Sequence, residues 1–174
     1  MRLLIRFVAL VLVALTVGGV ALALTSRNTL DEQLAKIETE WSELRPDLED
    51  RYDALATAND AVRTNGGASR AVIGELDAAL SDWDRATRTS DVGAQLRVAN
   101  ELEGLGRRLV ATLTDSPRLA SNASTLALTA YAARTASAER LNAEISAYAN
   151  DRGGTIRSAF ADLLDHPQLP LLDL

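Results

Sequence analysis

The chain of 174 residues contains no cysteine, one histidine, four prolines and only 4% aromatic residues. Without cysteine there is no disulfide framework, no thiolate nucleophile and no sulfur ligand for a metal. The single histidine, His166, lies in a tail bracketed by proline, where a solvated or helix-ending role is the expectation. A metal site in a helical bundle needs Glu-x-x-His pairs on facing helices, and a Ser-His-Asp site needs a well-placed histidine; neither pattern is present. Gly66-Gly67 and Gly153-Gly154 lack a following Lys-Ser/Thr, so they read as helix stops and not as phosphate loops. Scarce aromatics beside abundant alanine disfavour sheets, because strands collect β-branched and aromatic residues. Basic charge is also short: setting aside Arg2, Arg6 and Arg27 leaves fifteen basic against twenty-four acidic residues. Such a surface repels nucleic acid. Neither an enzymatic activity nor a cofactor is expected.

What the chain does have begins at once. Phe7 to Leu24 is an uncharged run of 18 residues, flanked by Arg2 and Arg6 before it and Arg27 after it. At about 1.5 Å per residue a helix of this length reaches about 27 Å, close to the hydrocarbon thickness of a bilayer. A helix satisfies its own backbone in lipid, so the run predicts a membrane anchor over residues 1–27, with Phe7, Leu10, Leu15 and Leu24 facing lipid. The same residues, with Ala21-Leu22-Ala23, also fit a secretory signal, although the run is long for one and Leu24 continues it. Two arginines before the run against one just after it put the bulk of the chain outside the cytoplasm, on a single-pass anchor in the cell membrane.

Residues 28–164 carry helical stripes. Leu30, Leu34, Ile37, Trp41, Leu44, Leu48, Tyr52, Leu55 and Val62 are mostly spaced by three and four, with Asn28 or Thr29 as a cap and Asn65-Gly66-Gly67 as the stop. Pro46 predicts a kink and not a break, because the stripe keeps phase across it. Val72, Ile73, Leu76, Leu80 and Trp83 form a second stripe, and Leu96, Ala99, Leu102, Leu109 and Leu113 a third. Whether residues 88–93 separate these two or join them is left open. Gly104 and Gly106 make the third stripe either weak or closely packed. Ser116-Pro117 resembles a helix start, followed by Leu119, Leu126, Ala130, Ala133, Leu141, Ile145 and Tyr148. The acidic clusters around Glu38 and Asp47 read as solvated faces, with i,i+4 pairs such as Asp47 to Arg51. The expected fold is all-α: an N-terminal transmembrane helix followed by an up-and-down, antiparallel four-helix bundle.

Trp41-Ser42, then Leu48, then Arg51-Tyr52-Asp53 resemble the first bundle helix of the LemA family. Pro117, Leu119 and Asn122 match that family's Pro-x-Leu-x-x-Asn stretch, Leu141-Asn142 and Tyr148 stand where it has Tyr-Asn pairs, and Trp83 is a further core anchor. The Ile-Pro-Asn-Leu expected after the triplet is here replaced by Leu55-Ala56-Thr57-Ala58-Asn59, so the resemblance is to a divergent member. It implies a four-helix bundle behind a membrane anchor and no established chemistry. Two functional classes follow. One is a membrane-tethered interaction or scaffold module for a membrane or envelope protein, homo-oligomerisation included. The other is an extracytoplasmic ligand-sensing bundle acting through a separate membrane partner. Residues 165–174 form an apolar, extended tail. Ile156 to Leu164 is expected as a short closing helix, and Leu169, Leu171 and Leu172 as contacts for a partner.

Overall fold

The structure, a computed structural model, describes residues 2–64, 70–116, 120–133, 138–153, 158, 161 and 166–174, with side chains from Arg27 onward except those of Arg70 and Ala133. It is all-α: α1 spans Arg2–Thr64, α2 Arg70–Ala86, α3 Val92–Asp115, α4 Asn122–Ala133 and α5 Ala138–Arg152, and no strand occurs among the described residues.

The 63 residues of α1 form one uninterrupted helix, about 95 Å long at 1.5 Å per residue. The boundary expected at Asn28 or Thr29 is therefore not a helix start. Nothing between Phe7 and Arg45 interrupts a helix, so the apolar run passes into the amphipathic stripe without a cap. Pro46 is likewise accommodated within α1. No helix among the residues whose side chains are described is long and apolar enough to cross a membrane. Phe7, Leu10, Leu15 and Leu24 precede those residues, and only their backbone is described.

The stripe of α1 is the wall on which the other helices pack. Arg63 and Asn59 meet Asp77 midway along α2, while Tyr52 and Trp41 meet Trp83 near its end, so α2 runs back along α1. Trp41 meets Gln95, Arg51 meets Glu103 and Leu55 lies over Gly106, so α3 runs parallel to α1. Tyr131 in α4 lies at Arg51, Arg140 in α5 at Glu43, and Asp151 at Gln33, so these two helices descend along α1 in succession. The turn over Thr87–Ser90 separates α2 from α3, and the Asp91 side chain caps α3 by accepting from the Ala94 amide at 2.9 Å. That resolves the question over residues 88–93 as a break.

Trp83 is the centre of the aromatic packing. Its ring stands edge-on to Trp41 at 6.2 Å and to Tyr52 at 4.9 Å. Such edge contacts add about 0.5–1.5 kcal/mol each beyond area burial. Ile37, Leu48, Leu55, Leu76, Leu96, Leu102, Leu109, Leu141, Ile145 and Tyr148 complete the buried apolar interior.

Two sequence expectations are corrected in α4. Ser116 caps the end of α3, its amide donating to the Thr112 carbonyl at 3.1 Å, and the next helix starts at Ser121 instead. There the Ser121 and Ser124 hydroxyls each accept from the other's backbone amide, at 3.1 and 2.8 Å, as in a capping box. The inward face also differs. Leu126 is 73% exposed and Ala130 is exposed, whereas Ala127 and Tyr131 are buried. The α4 sequence mixes small apolar residues with Ser124, Thr125 and Thr129 and carries no large apolar stripe, so spacing selects no face; the polar anchors of Tyr131 fix its rotation. Pro117 and Leu119 lie outside the described residues, as does most of the short helix expected over Ile156 to Leu164. Within it Ser158 and Ala161 are helical, and Ala161 is buried.

Candidate functional site

Two polar constellations stand out against this apolar interior. The first is sealed. Arg51, at a core position of α1, donates from Nε and Nη2 to the two carboxylate oxygens of Glu103, both at 2.8 Å. Its Nη1 donates to the Tyr131 carbonyl at 2.5 Å, and its guanidinium lies 3.9 Å from the centre of the Tyr131 ring. Tyr131 in turn donates its hydroxyl to Glu103 at 2.7 Å. The expected Asp47–Arg51 pairing is thus replaced by a bidentate pair across helices. Planar guanidinium and carboxylate forks match in geometry, and burial favours the closest and best-satisfied partner.

The surroundings tune these groups consistently. Burial by itself would lower the Arg51 pKa, but the hydrogen bond and charge of Glu103 outweigh it and raise it. Burial, and then the Glu103 carboxylate, push both Tyr52 and Tyr131 well above the ordinary phenol range. Gly106 makes room for Tyr131: a Cβ built there would stand 2.5 Å from the phenol oxygen. The third stripe is therefore closely packed at Gly106, while a Cβ at Gly104 would meet nothing within 4 Å. Every charged group of this cluster is consumed by another, which makes it a clamp among α1, α3 and α4.

The second constellation reaches the surface. Extensive helix contacts join α1 to α2, α3, α4 and α5, and α2 to α3, but α3 and α5 make none with each other. The tail, residues 166–174, fills the interval. Pro167 and Pro170 keep His166 and Leu169 away from helical geometry, so the backbone of the tail needs outside partners. The two flanking helices supply them. Asn142 of α5 donates to the Leu172 carbonyl and accepts from the Leu172 amide, both at 2.8 Å. Asn100 of α3 donates to the Leu171 carbonyl at 2.7 Å and accepts from the Asp173 amide at 2.8 Å. Tyr148 donates to the Pro167 carbonyl at 2.8 Å, and Arg152 to that of His166 at 2.9 Å. Arg107 donates to the Asp173 carboxylate at 2.9 Å.

Side chains add two apolar anchors. Leu172 and Leu169 are 3% and 8% exposed, whereas Leu171 between them is 52% exposed. Leu169 rests on Gly93, where a Cβ would approach its Cδ2 to 3.1 Å. His166 is buried as well, with Nε2 2.9 Å from Asp31 Oδ1 and Nδ1 without a partner among the described residues. It is not a solvated histidine, because the tail carries it under α1. Leu169 and Leu172, expected to contact a partner, instead serve the chain's own core. Of the three leucines expected to contact a partner, only Leu171 keeps a substantial outward surface.

Trp41, Leu48, Tyr52, Trp83 and Tyr148 are buried, Arg51 belongs to the clamp, and Asp53 and Asn122 are exposed. Sequence reasoning passed over Glu103, Tyr131, Asn100 and Arg107. Glu103 left a readable signal, since it follows Leu96 and Ala99 at helical spacing and so puts a charge in the apolar phase of α3. Asn100 and Arg107 left none, because a polar residue beside a stripe is the ordinary occupant of a helix flank. Among the described residues no group of three or more histidine, aspartate or glutamate side chains is placed to hold a metal ion. No family model, curated protein or solved structure matches the chain.

Proposed function

We propose that this chain is a membrane-anchored interaction protein of the LemA type, a four-helix bundle on a single-pass anchor. In this reading the bundle is extracytoplasmic, has no catalytic activity of its own, and recruits a membrane or envelope protein. The observation that carries the reading is the seat of the tail: a stretch of chain without regular structure is held between two helices largely through its main chain. Holding a segment in this way is a binding task, and the groove is built from residues suited to it. The sealed Arg51–Glu103–Tyr131 clamp supports the same reading, because its acid, base and phenol are spent on one another. The apolar run Phe7 to Leu24, continuous in helix with the stripe of α1, supports the anchor. A helix that enters the bundle without a joint would hold the groove at a fixed height and orientation above the bilayer.

The test uses the full chain in its native membrane. It should remain with the membrane fraction through high-salt and alkaline washes, and its intact mass should include Met1. A photo-crosslinking residue at the half-exposed position 171 should form a discrete adduct with a second protein. Release by the washes, or a mass beginning near Leu24, would overturn the anchor; absence of any adduct would overturn the interaction role.

A further inference from the structure

The tail is gripped in a way that reads a peptide and not a unique sequence. Four of its hydrogen bonds with Asn100 and Asn142 go to the main chain of residues 171–173, and any extended segment can offer the same groups. Selectivity comes from the side-chain contacts: a pocket for Leu172, a shelf on Gly93 for Leu169, Arg107 for an acid at 173 and Asp31 for His166. The upstream end is underfilled. A hollow of about 180 Å³, largely apolar, lies on one side of Leu169 against Leu34, Ile37 and Val92. Another of about 170 Å³ lies on its other side against Tyr148 and Arg152. Leucine at 169 leaves contact surface on both sides unused, and lost contacts of this kind weaken binding directly.

We infer that the α3/α5 groove is a receptor for an extended segment of a partner protein, and that the tail is its resident internal ligand. The partner segment carries a large apolar side chain, aromatic in preference, at the place of Leu169. It has a second apolar side chain three residues on, at the place of Leu172, and an acidic residue immediately after. Filling the hollows gives that segment its advantage over the tail, which is held at high effective concentration by its own chain. This inference rests on the interaction role proposed above and names the chemistry of the partner.

The probe is a labelled synthetic peptide with the sequence of residues 166–174 and Phe in place of Leu169. It is read by fluorescence anisotropy on the full chain in detergent micelles, so the result does not depend on membrane retention or orientation in the cell. On the full-length L169S/L172S variant, whose own tail is loosened, this peptide should bind saturably and about tenfold tighter than the unaltered tail sequence, as expected for a filled apolar hollow. Adding Asn142→Ala removes two hydrogen bonds and should weaken binding about tenfold or more. Hydrogen exchange on the unmodified chain gives a second reading that needs no variant. Excess peptide should speed exchange at the Leu172 and Asp173 amides while the helices stay protected. Unchanged protection there, or binding indifferent to Asn142→Ala, would overturn the inference. Exchange of tails between two copies, seen as a dimer formed at the peptide's expense, would overturn the choice of partner. Failure of the peptide alone would leave membrane retention and crosslinking standing.

Discussion

Arg51, Glu103 and Tyr131 show how a single charge in an apolar stripe is made tolerable. Taking either member of an ion pair out of water costs several kcal/mol, and the cost is recovered only where geometry and further hydrogen bonds are good. Here both forks are matched and the phenol adds a third donor. Glu103→Ala should therefore cost about 3–5 kcal/mol, since it leaves a buried guanidinium unpaired. The double variant R51M/E103L should cost much less than Glu103→Ala alone, because both charges leave together. Chemical denaturation of the chain in micelles measures both. Alkaline pH tests the same region. Tyr52 and Tyr131 hold their protons in the folded state to a higher pH than in the unfolded chain, through burial first and Glu103 second. Their contribution is fully present below the unfolded value of about 10 and is lost as pH rises above it. The slope should approach about 1.4 kcal/mol per pH unit for each tyrosine. Tyrosinate absorbance followed beside circular dichroism should show these two ionising only as helix is lost.

At the scale of elements, α3 carries the sharpest contrast. Gly104 and Gly106 are two residues apart in one helix, yet their surroundings differ completely. A methyl group at 104 meets open space, and one at 106 meets the phenol that Glu103 and Arg51 hold in place. Gly104→Ala should stabilise the chain by about 0.5–1 kcal/mol, the gain in helix propensity from removing a mid-helix glycine. Gly106→Ala should destabilise it by about 1–3 kcal/mol, the usual cost of overpacking a tight contact. Thermal melts of the two variants should thus shift in opposite directions. The face of α4 follows from the same contact, because Tyr131 turns inward to reach Glu103 and carries Leu126 out to solvent.

For the molecule as a whole, the tail closes the interval between α3 and α5 that the helices themselves leave. Its leucines divide the labour. Leu172→Ala should cost about 2–5 kcal/mol, as a buried side chain removed from a packed site does. Leu171→Ala, at a half-exposed position, should change stability by at most about 0.5 kcal/mol. Equal losses from both, by denaturant titration of the full chain, would show that the tail is not seated on Leu172. The long first helix joins this groove to the apolar run at its start.

Much of the architecture was legible in one dimension. The periods of α1, α2 and α3 gave helices whose inward apolar residues are largely those expected, although Leu34, Ile73 and Leu80 are only partly buried and Arg51, Gln95 and Glu103 turn inward as well. Arg88 to Gly93 marked the neighbourhood of the break before α3, while Asn65-Gly66-Gly67, expected to stop α1, lie outside the described residues. These features depend on neighbours within a turn or two of helix, and such neighbours are close in sequence. Arg51 finds Glu103 across 52 positions and the Tyr131 carbonyl across 80, and His166 finds Asp31 across 135. Nothing in local spacing ranks those partners above nearer ones such as Asp47. The choice is made by which groups the packed helices bring within about 3 Å of each other in a region closed to water. The face of α4 and the seat of the tail belong with them, because a helix without a strong apolar stripe and a short proline-bracketed segment have no preferred orientation until the rest of the fold supplies one.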